Sequence, residues 1–197
     1  TIKWENNINA IRYFSLLQIP NHNIVAQTNK GFFSFNKKSE LLPYLLPLIR
    51  DGILINNEYS FFASHRGLLR WNYSEKIHYK TKDIQANNLY SLFLDNKLGL
   101  LVGSAKGLYR LEQDTLLKYN FNNEDIKDPI YFIIQDSSKN IWLGTNNGVL
   151  KWDGKNLKRY NKNDGLAGNE TNRAAGFVDS KGNVWIGTDE GVSMYTG

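Results

Sequence analysis

Few side chains in this 197-residue chain have a type and spacing that could do chemistry. The chain has three histidines, His22, His65 and His78, and no cysteine. A zinc-type centre needs about four N, S or O ligands converging on one point. Ser64 followed by His65 has the composition of a nucleophile and its base. Chain neighbours point apart, however, and no carboxylate is placed to orient the imidazole. Asp189 and Glu190 form an acidic pair, whereas glycoside hydrolysis needs two carboxyl groups about 5–10 Å apart across a substrate. The richer set is basic and aromatic: Arg12, Arg50, Asn88, Tyr90, Tyr131, Asn172 and Arg173, together with Lys30, His65, Arg66, Lys106, Asn147 and Asp189. Guanidinium groups grip carboxylates in a bidentate fashion and tyrosine rings stack on sugars. That chemistry is binding, and it requires elements that bring distant residues to one place.

Composition narrows the classes. Hydrophobic residues make up 41% of the chain, aromatics 13% and charged residues 22%, with only 4 prolines, a profile that folds. The formal net charge is +5, but Lys and Arg are scattered rather than massed, which speaks for a solvated basic surface and against nucleic-acid binding. No apolar run reaches the roughly 20 residues of a membrane-spanning helix, so no membrane insertion is expected. The chain starts at Thr1 with no initiator Met or signal-like segment, as a mature or excised piece would.

The elements follow from a repeat. A Thr or Ser precedes a glycine by three places at Thr28 and Gly31, Ser64 and Gly67, Ser104 and Gly107, Thr145 and Gly148, and Thr188 and Gly191. The glycines recur at steps of 36, 40, 41 and 43 residues, the length of four short strands with their turns. A β-rich run precedes each glycine and a large residue lies four places after it: Phe35, Trp71, Leu111, Trp152 and Tyr195. Strand, tight turn and second strand explain the pattern, with glycine at the φ > 0 position. Asp95, Asp136 and Asp179 each lie twelve residues before their glycine and are expected to fasten a hairpin turn rather than bind calcium. Trp142 and Trp185 share one phase and are expected to pack between repeats.

The fold these features predict is all-β: a β-propeller of about five four-stranded blades forming a single domain over 1–197. Thr1 to Trp4 would close the last blade as its missing fourth strand. Five consecutive blades of a longer propeller are the competing arrangement. Closure removes open strand edges that template aggregation. The same architecture places His22 in a turn between first and second strands and His65 between second and third, at opposite ends of a blade. His78 falls on an outer strand, so the three histidines do not converge, and neither a metal nor another cofactor is expected.

The stretch from Asp136 to Val149 resembles the two-component regulator propeller repeat, and Asp179 to Val192 resembles it more closely. Asn163-Asp164-Gly165-Leu166 is similar to the inter-blade segment of that family, and Leu100 to Leu108 is a third copy. The resemblance implies a sensor portion of a bacterial hybrid two-component receptor, periplasmic or extracellular, responding to saccharides, with other propeller or signalling domains of a parent protein as partners. A protein-binding scaffold of a surface or secretion assembly is the alternative, and a propeller glycosidase or lyase a third. The leading reading is non-catalytic.

Within a propeller, binding concentrates where second-to-third-strand turns and the segments leading into first strands meet at the channel mouth. The turns carry Lys30, His65, Arg66, Lys106, Asn147 and Asp189. The lead-in segments carry Arg12, Arg50, Asn88, Tyr90, Tyr131, Asn172 and Arg173. The excess of Lys and Arg points to an anionic ligand such as an acidic saccharide, with a neutral saccharide as the alternative, and marks Arg66 and Lys106 as cations whose loss should abolish binding.

Overall fold

A computed structural model describes residues 13–19, 23–28, 31–34, 41–42, 48–72 and 75–197. Among the described residues every regular element beyond short 3₁₀ turns is a strand, and the strands pair strictly in sequence order as antiparallel meanders. Blade one comprises β1 (Tyr13–Ile19), β2 (Asn23–Thr28), β3 (Gly31–Ser34) and β4 (Leu41–Leu42). Blade two comprises β5 (Ile49–Ile55), β6 (Tyr59–Ser64), β7 (Gly67–Trp71) and β8 (Lys76–Tyr79). Blade three comprises β9 (Leu89–Asp95), β10 (Gly99–Ser104), β11 (Gly107–Glu112) and β12 (Thr115–Lys118). Blade four comprises β13 (Ile130–Gln135), β14 (Ile141–Thr145), β15 (Val149–Trp152) and β16 (Leu157–Tyr160). The fifth sheet has three strands among the described residues, β17 (Thr171–Val178), β18 (Val184–Thr188) and β19 (Gly191–Tyr195).

The innermost strands pack in order, β1 on β5, β5 on β9, β9 on β13 and β13 on β17, which is a propeller. No comparable packing joins β17 to β1. Thr1 to Trp4, the segment expected to close the last blade, lies outside the described residues.

The repeated Thr/Ser and Gly are a turn device. Ser104 Oγ donates to the Gly107 carbonyl at 3.0 Å and accepts from the Lys106 N–H at 3.0 Å. Thr145 does the same with Gly148 and Asn147 at 2.7 and 2.9 Å. Gly107 and Gly148 hold φ of +106° and +82°, a left-handed geometry in which a side chain would be strained. Ser64 belongs to this device, 1% exposed and bonded to Gly67, so its hydroxyl is a turn fastener and its pairing with His65 is one of sequence only.

The aspartates fasten the first hairpin as expected. Asp179 Oδ1 accepts the N–H groups of Lys181 and Asn183, both at 2.9 Å, and Asp136 Oδ1 that of Asn140 at 2.9 Å. The second oxygen has a job that the turn chemistry does not announce. Asp136 Oδ2 accepts the Trp142 indole N–H at 2.8 Å, and Asp179 Oδ2 that of Trp185 at 2.9 Å. The Trp185 indole, then the Asn183 amide, hold the Asp179 carboxyl down to about 2. For Asp136, partial burial pushes upward, but the Trp142 and Asn140 donors outweigh it and the carboxyl lies below its usual value. Both groups titrate near 3.8 when unfolded and lower when folded. Their contribution is therefore present above the unfolded value and lost as pH falls through the folded one, which for Asp179 is about 2. A melting-temperature profile should be level above that window and fall through it, and Asp179→Asn should flatten part of the fall.

Packing between blades tolerates little volume change. A Cβ on Gly103 of β10 would lie 2.6 Å from the Ile130 carbonyl oxygen of the next blade and also strike Ser91 Oγ. Gly103→Ala is expected to destabilise by about 1–3 kcal/mol in urea unfolding, the usual cost of overpacking.

Candidate functional site

In blades one to four the register between first and second strand slips by one residue near the start of the first strand. The slips fall between Tyr13 and Ser15, between Ile49 and Asp51, between Leu89 and Ser91 (opposite Gly103 and Ser104), and between Ile130 and Phe132. The extra residues are Phe14, Arg50, Tyr90 and Tyr131. In the fifth sheet the slip is wider, between Thr171 and Gly176, and Ala174 within it takes φ of +52°. A bulge frees its extra residue from the alternation of the strand and re-aims it. Here the bulges recur at equivalent places in successive blades, and those of blades two to four and of the fifth sheet bring their residues to one region.

Arg50, Tyr90, Tyr131 and Arg173 do meet. The Arg50 guanidinium lies 4.6 Å from the centre of the Tyr90 ring, and that of Arg173 lies 4.7 Å from the same ring and 6.0 Å from Tyr131. The two tyrosines pack edge to face at 5.3 Å. Arg50 is fixed by donating from Nη1 to Asn88 Oδ1 at 2.6 Å and to the Leu89 carbonyl at 3.1 Å. Asn88 in turn donates to the Tyr90 hydroxyl at 2.9 Å. Arg50 Nε is buried without a hydrogen-bond partner. Burial, then the nearby Arg173 charge, lower the Arg50 pKa from its ordinary value, the expected strain when two cations share one ring. Among the described residues neither arginine forms an ion pair.

A cavity of about 180 Å³ opens beside this cluster, lined by Arg50, Asp51, Tyr90, Ser91, Tyr131 and Ala174 among others. Asp51 is its one carboxylate among the described residues. Both oxygens face backbone, Oδ2 accepting the Leu92 N–H at 2.7 Å and Oδ1 the Gly52 N–H at 2.8 Å. Burial pushes this carboxyl up, and the two N–H groups only partly restore it. Asp51 thus ties blade two to blade three. Glu170 lies near enough to Tyr131 to help burial raise its phenol pKa. An exposed guanidinium, a half-buried one and two aromatic faces make a surface that can hold an anion carried on a ring.

The structure places the sequence-derived residues in two groups. Arg50, Asn88, Tyr90, Tyr131 and Arg173 converge. His65, Arg66, Lys106, Asn147 and Asp189 lie exposed on second-to-third-strand turns. Those turns share the face of the lead-in segments, since Ala105 N–H bonds the Asn88 carbonyl and Asp189 N–H the Glu170 carbonyl. Asn172 is tied to the Thr188 carbonyl at 2.9 Å. Asn147 accepts Arg159 at its backbone carbonyl, a structural contact. Arg12 and Lys30 lie outside the described residues, as does His22. Asp51 and the bulge at Phe14 were not singled out from the sequence. The only signal was a residue interrupting strand alternation, as in Ile49-Arg50-Asp51.

Residues 126–147 match the family model described as two component regulator propeller. Over 71 residues the chain is 32% identical to "Histidine kinase P4" of Formosa agariphila, a match covering 34% of this chain and 5% of that protein. Among solved structures, the extracellular domain of a B. thetaiotaomicron hybrid two component system superposes with a TM-score of 0.75 at 18% identity, over 96% of this chain and 27% of that one. PorZ, a surface component of the type-IX secretion system of Porphyromonas gingivalis, superposes with a TM-score of 0.73 at 15% identity, over 98% and 34%. The virginiamycin B lyase of Staphylococcus aureus does so with a TM-score of 0.66 at 11% identity, over 93% and 69%. This chain therefore spans a small part of the kinase and about a third or less of the first two structures, and these likenesses establish the propeller fold. No helix among the described residues is long and apolar enough to cross a membrane.

Proposed function

We propose that this chain is a non-catalytic, ligand-sensing propeller of an extracytoplasmic receptor and that its channel mouth binds an anionic ligand, foremost an acidic saccharide. The observation that carries the reading is the convergence of Arg50 and Arg173 on Tyr90, each brought there by a bulge in a different blade. Two cations placed against one ring, with Asp51 turned to backbone, lack the counter-charge that a carboxylate ligand would bring. The two-component regulator propeller match supports the sensing role. Against a glycosidase stands the engagement of the one cavity carboxylate in holding two N–H groups, which leaves it poorly placed as acid or nucleophile. Glu190, beside Asp189, pairs with Lys162 at 2.7 Å.

A thermal-shift panel of neutral and uronate-containing oligosaccharides tests the proposal, because a ligand bound only by the folded state raises the melting temperature. A saturable rise with uronates that Arg173→Met removes is expected. A rise with neutral sugars alone, or an unchanged rise in Arg173→Met, would overturn the anionic site.

A further inference from the structure

The cavity beside the bulge cluster has a volume of about 180 Å³. That is roughly six waters at about 30 Å³ apiece, and well under the roughly 300 Å³ at which pockets begin to enclose drug-sized ligands. Its size is that of a single sugar ring. Its charge is gathered just as narrowly, since the Arg50 and Arg173 guanidiniums lie 4.6 and 4.7 Å from the centre of one ring, that of Tyr90. Two cations on one ring suit one carboxylate. A groove that runs along a polyuronate needs cations repeated on both sides of such a point.

The rim around the cavity is divided by sign. The second-to-third-strand turn of blade two carries His65 and Arg66, and Ser64 before them pairs with Ile49, the neighbour of Arg50. The corresponding turn of blade three carries Lys106, and the Ala105 N–H beside it bonds the carbonyl of Asn88, which holds Arg50. Arg66 and Lys106 are exposed, and neither forms an ion pair among the described residues. The turn of blade four, Asn146-Asn147, is uncharged. On the far side the turn of the fifth sheet carries Asp189 and Glu190, and the Asp189 N–H bonds the Glu170 carbonyl. Glu190 is paired with Lys162, whereas the exposed Glu170 and Asp189 form no ion pair among the described residues. Exposed charges act over about 10 Å at moderate salt, so a string of carboxylates is drawn over blades two and three and repelled from the fifth sheet.

We propose that the mouth recognises one terminal ring of an acidic oligosaccharide, with the rest of the chain leaving over the basic turns of blades two and three. This rests on the anionic reading of the cluster and adds to it a length limit and a direction. One ring fills the cavity, the next meets Arg66 and Lys106, and later rings extend into solvent.

Isothermal titration with homo-oligomers of galacturonate and of mannuronate, from the single sugar to a long chain, tests both additions. The single uronate should bind, and the dimer should bind more tightly by on the order of 2- to 10-fold, the range for contact with two exposed cations. Third and fourth rings should add nothing measurable, and a long chain should take up one protein whatever its length. With Arg66→Ala and Lys106→Ala combined, the dimer should bind no better than the single sugar, whose own binding serves as the folding control. An affinity that climbs with every added ring, several proteins on one long chain, or a dimer advantage that survives the double variant would overturn end recognition and leave the anion site standing. No binding of any uronate, single or linked, would overturn the anion site and this inference together.

Discussion

Trp142→Ala is expected to lower stability by about 3–5 kcal/mol, the range for emptying a large aromatic site in a core, and the melting temperature by on the order of 10 °C. The indole is 1% exposed at the joint between blade four and the fifth sheet. It stacks on Tyr160 at 5.8 Å and meets Tyr195 edge-on at 4.8 Å, with Lys151 Nζ 5.1 Å from its ring centre. Removing it also deprives Asp136 Oδ2 of a donor. Trp142→Phe keeps a ring but loses that hydrogen bond, and should cost about 1–2 kcal/mol. Trp185→Ala is the internal control, because Trp185 holds the same slot and the same aspartate contact but is 37% exposed. Urea unfolding should show Trp185→Ala costing much less than Trp142→Ala. Equal losses would mean that packing between blades is not what holds Trp142.

The second large effect concerns binding. Arg173→Met should weaken a uronate ligand by on the order of 10- to 100-fold, the loss of a charge-assisted contact, while changing stability by no more than about 0.5 kcal/mol. Arg173 is exposed, and its guanidinium lies against the Tyr90 and Tyr131 rings at the surface, so its loss should leave the core intact. Arg50→Met should weaken binding to a similar degree and also cost some stability, because Arg50 links β5 to Asn88 and Leu89 of the next blade. Arg66→Ala should change affinity far less, since Arg66 lies on an exposed turn outside the cluster.

That last contrast shows where the sequence was legible and where it was not. The glycine steps, the Thr or Ser three places earlier and the turn aspartates each encode a local geometry, and local geometry is what a single repeat can reveal. The phase of Trp142 gave its burial for the same reason. Trp185 keeps that phase at 37% exposure, because burial depends on what packs over a strand rather than on the strand itself. The tie between each aspartate and an indole six residues on was present as a spacing, at Asp136 and Trp142 and again at Asp179 and Trp185. Blade three, with Leu101 in that slot, uses its aspartate differently, accepting Gln135 of blade four at Asp95 Oδ2. Turn position placed Arg66, Lys106 and Arg50 at one mouth, but could not rank them. The ranking follows from the bulges, and a one-residue slip is set by pairing with the adjacent strand.

Isothermal titration of the chain with an acidic oligosaccharide and its neutral counterpart, repeated on Arg173→Met, tests the central claim most directly. The account predicts saturable binding of the acidic ligand alone, weakened by on the order of 10-fold or more in the variant and by added salt. Equal heats for acidic and neutral ligands, or an affinity for the acidic ligand that Arg173→Met leaves unchanged, would contradict an anion site built from the bulges.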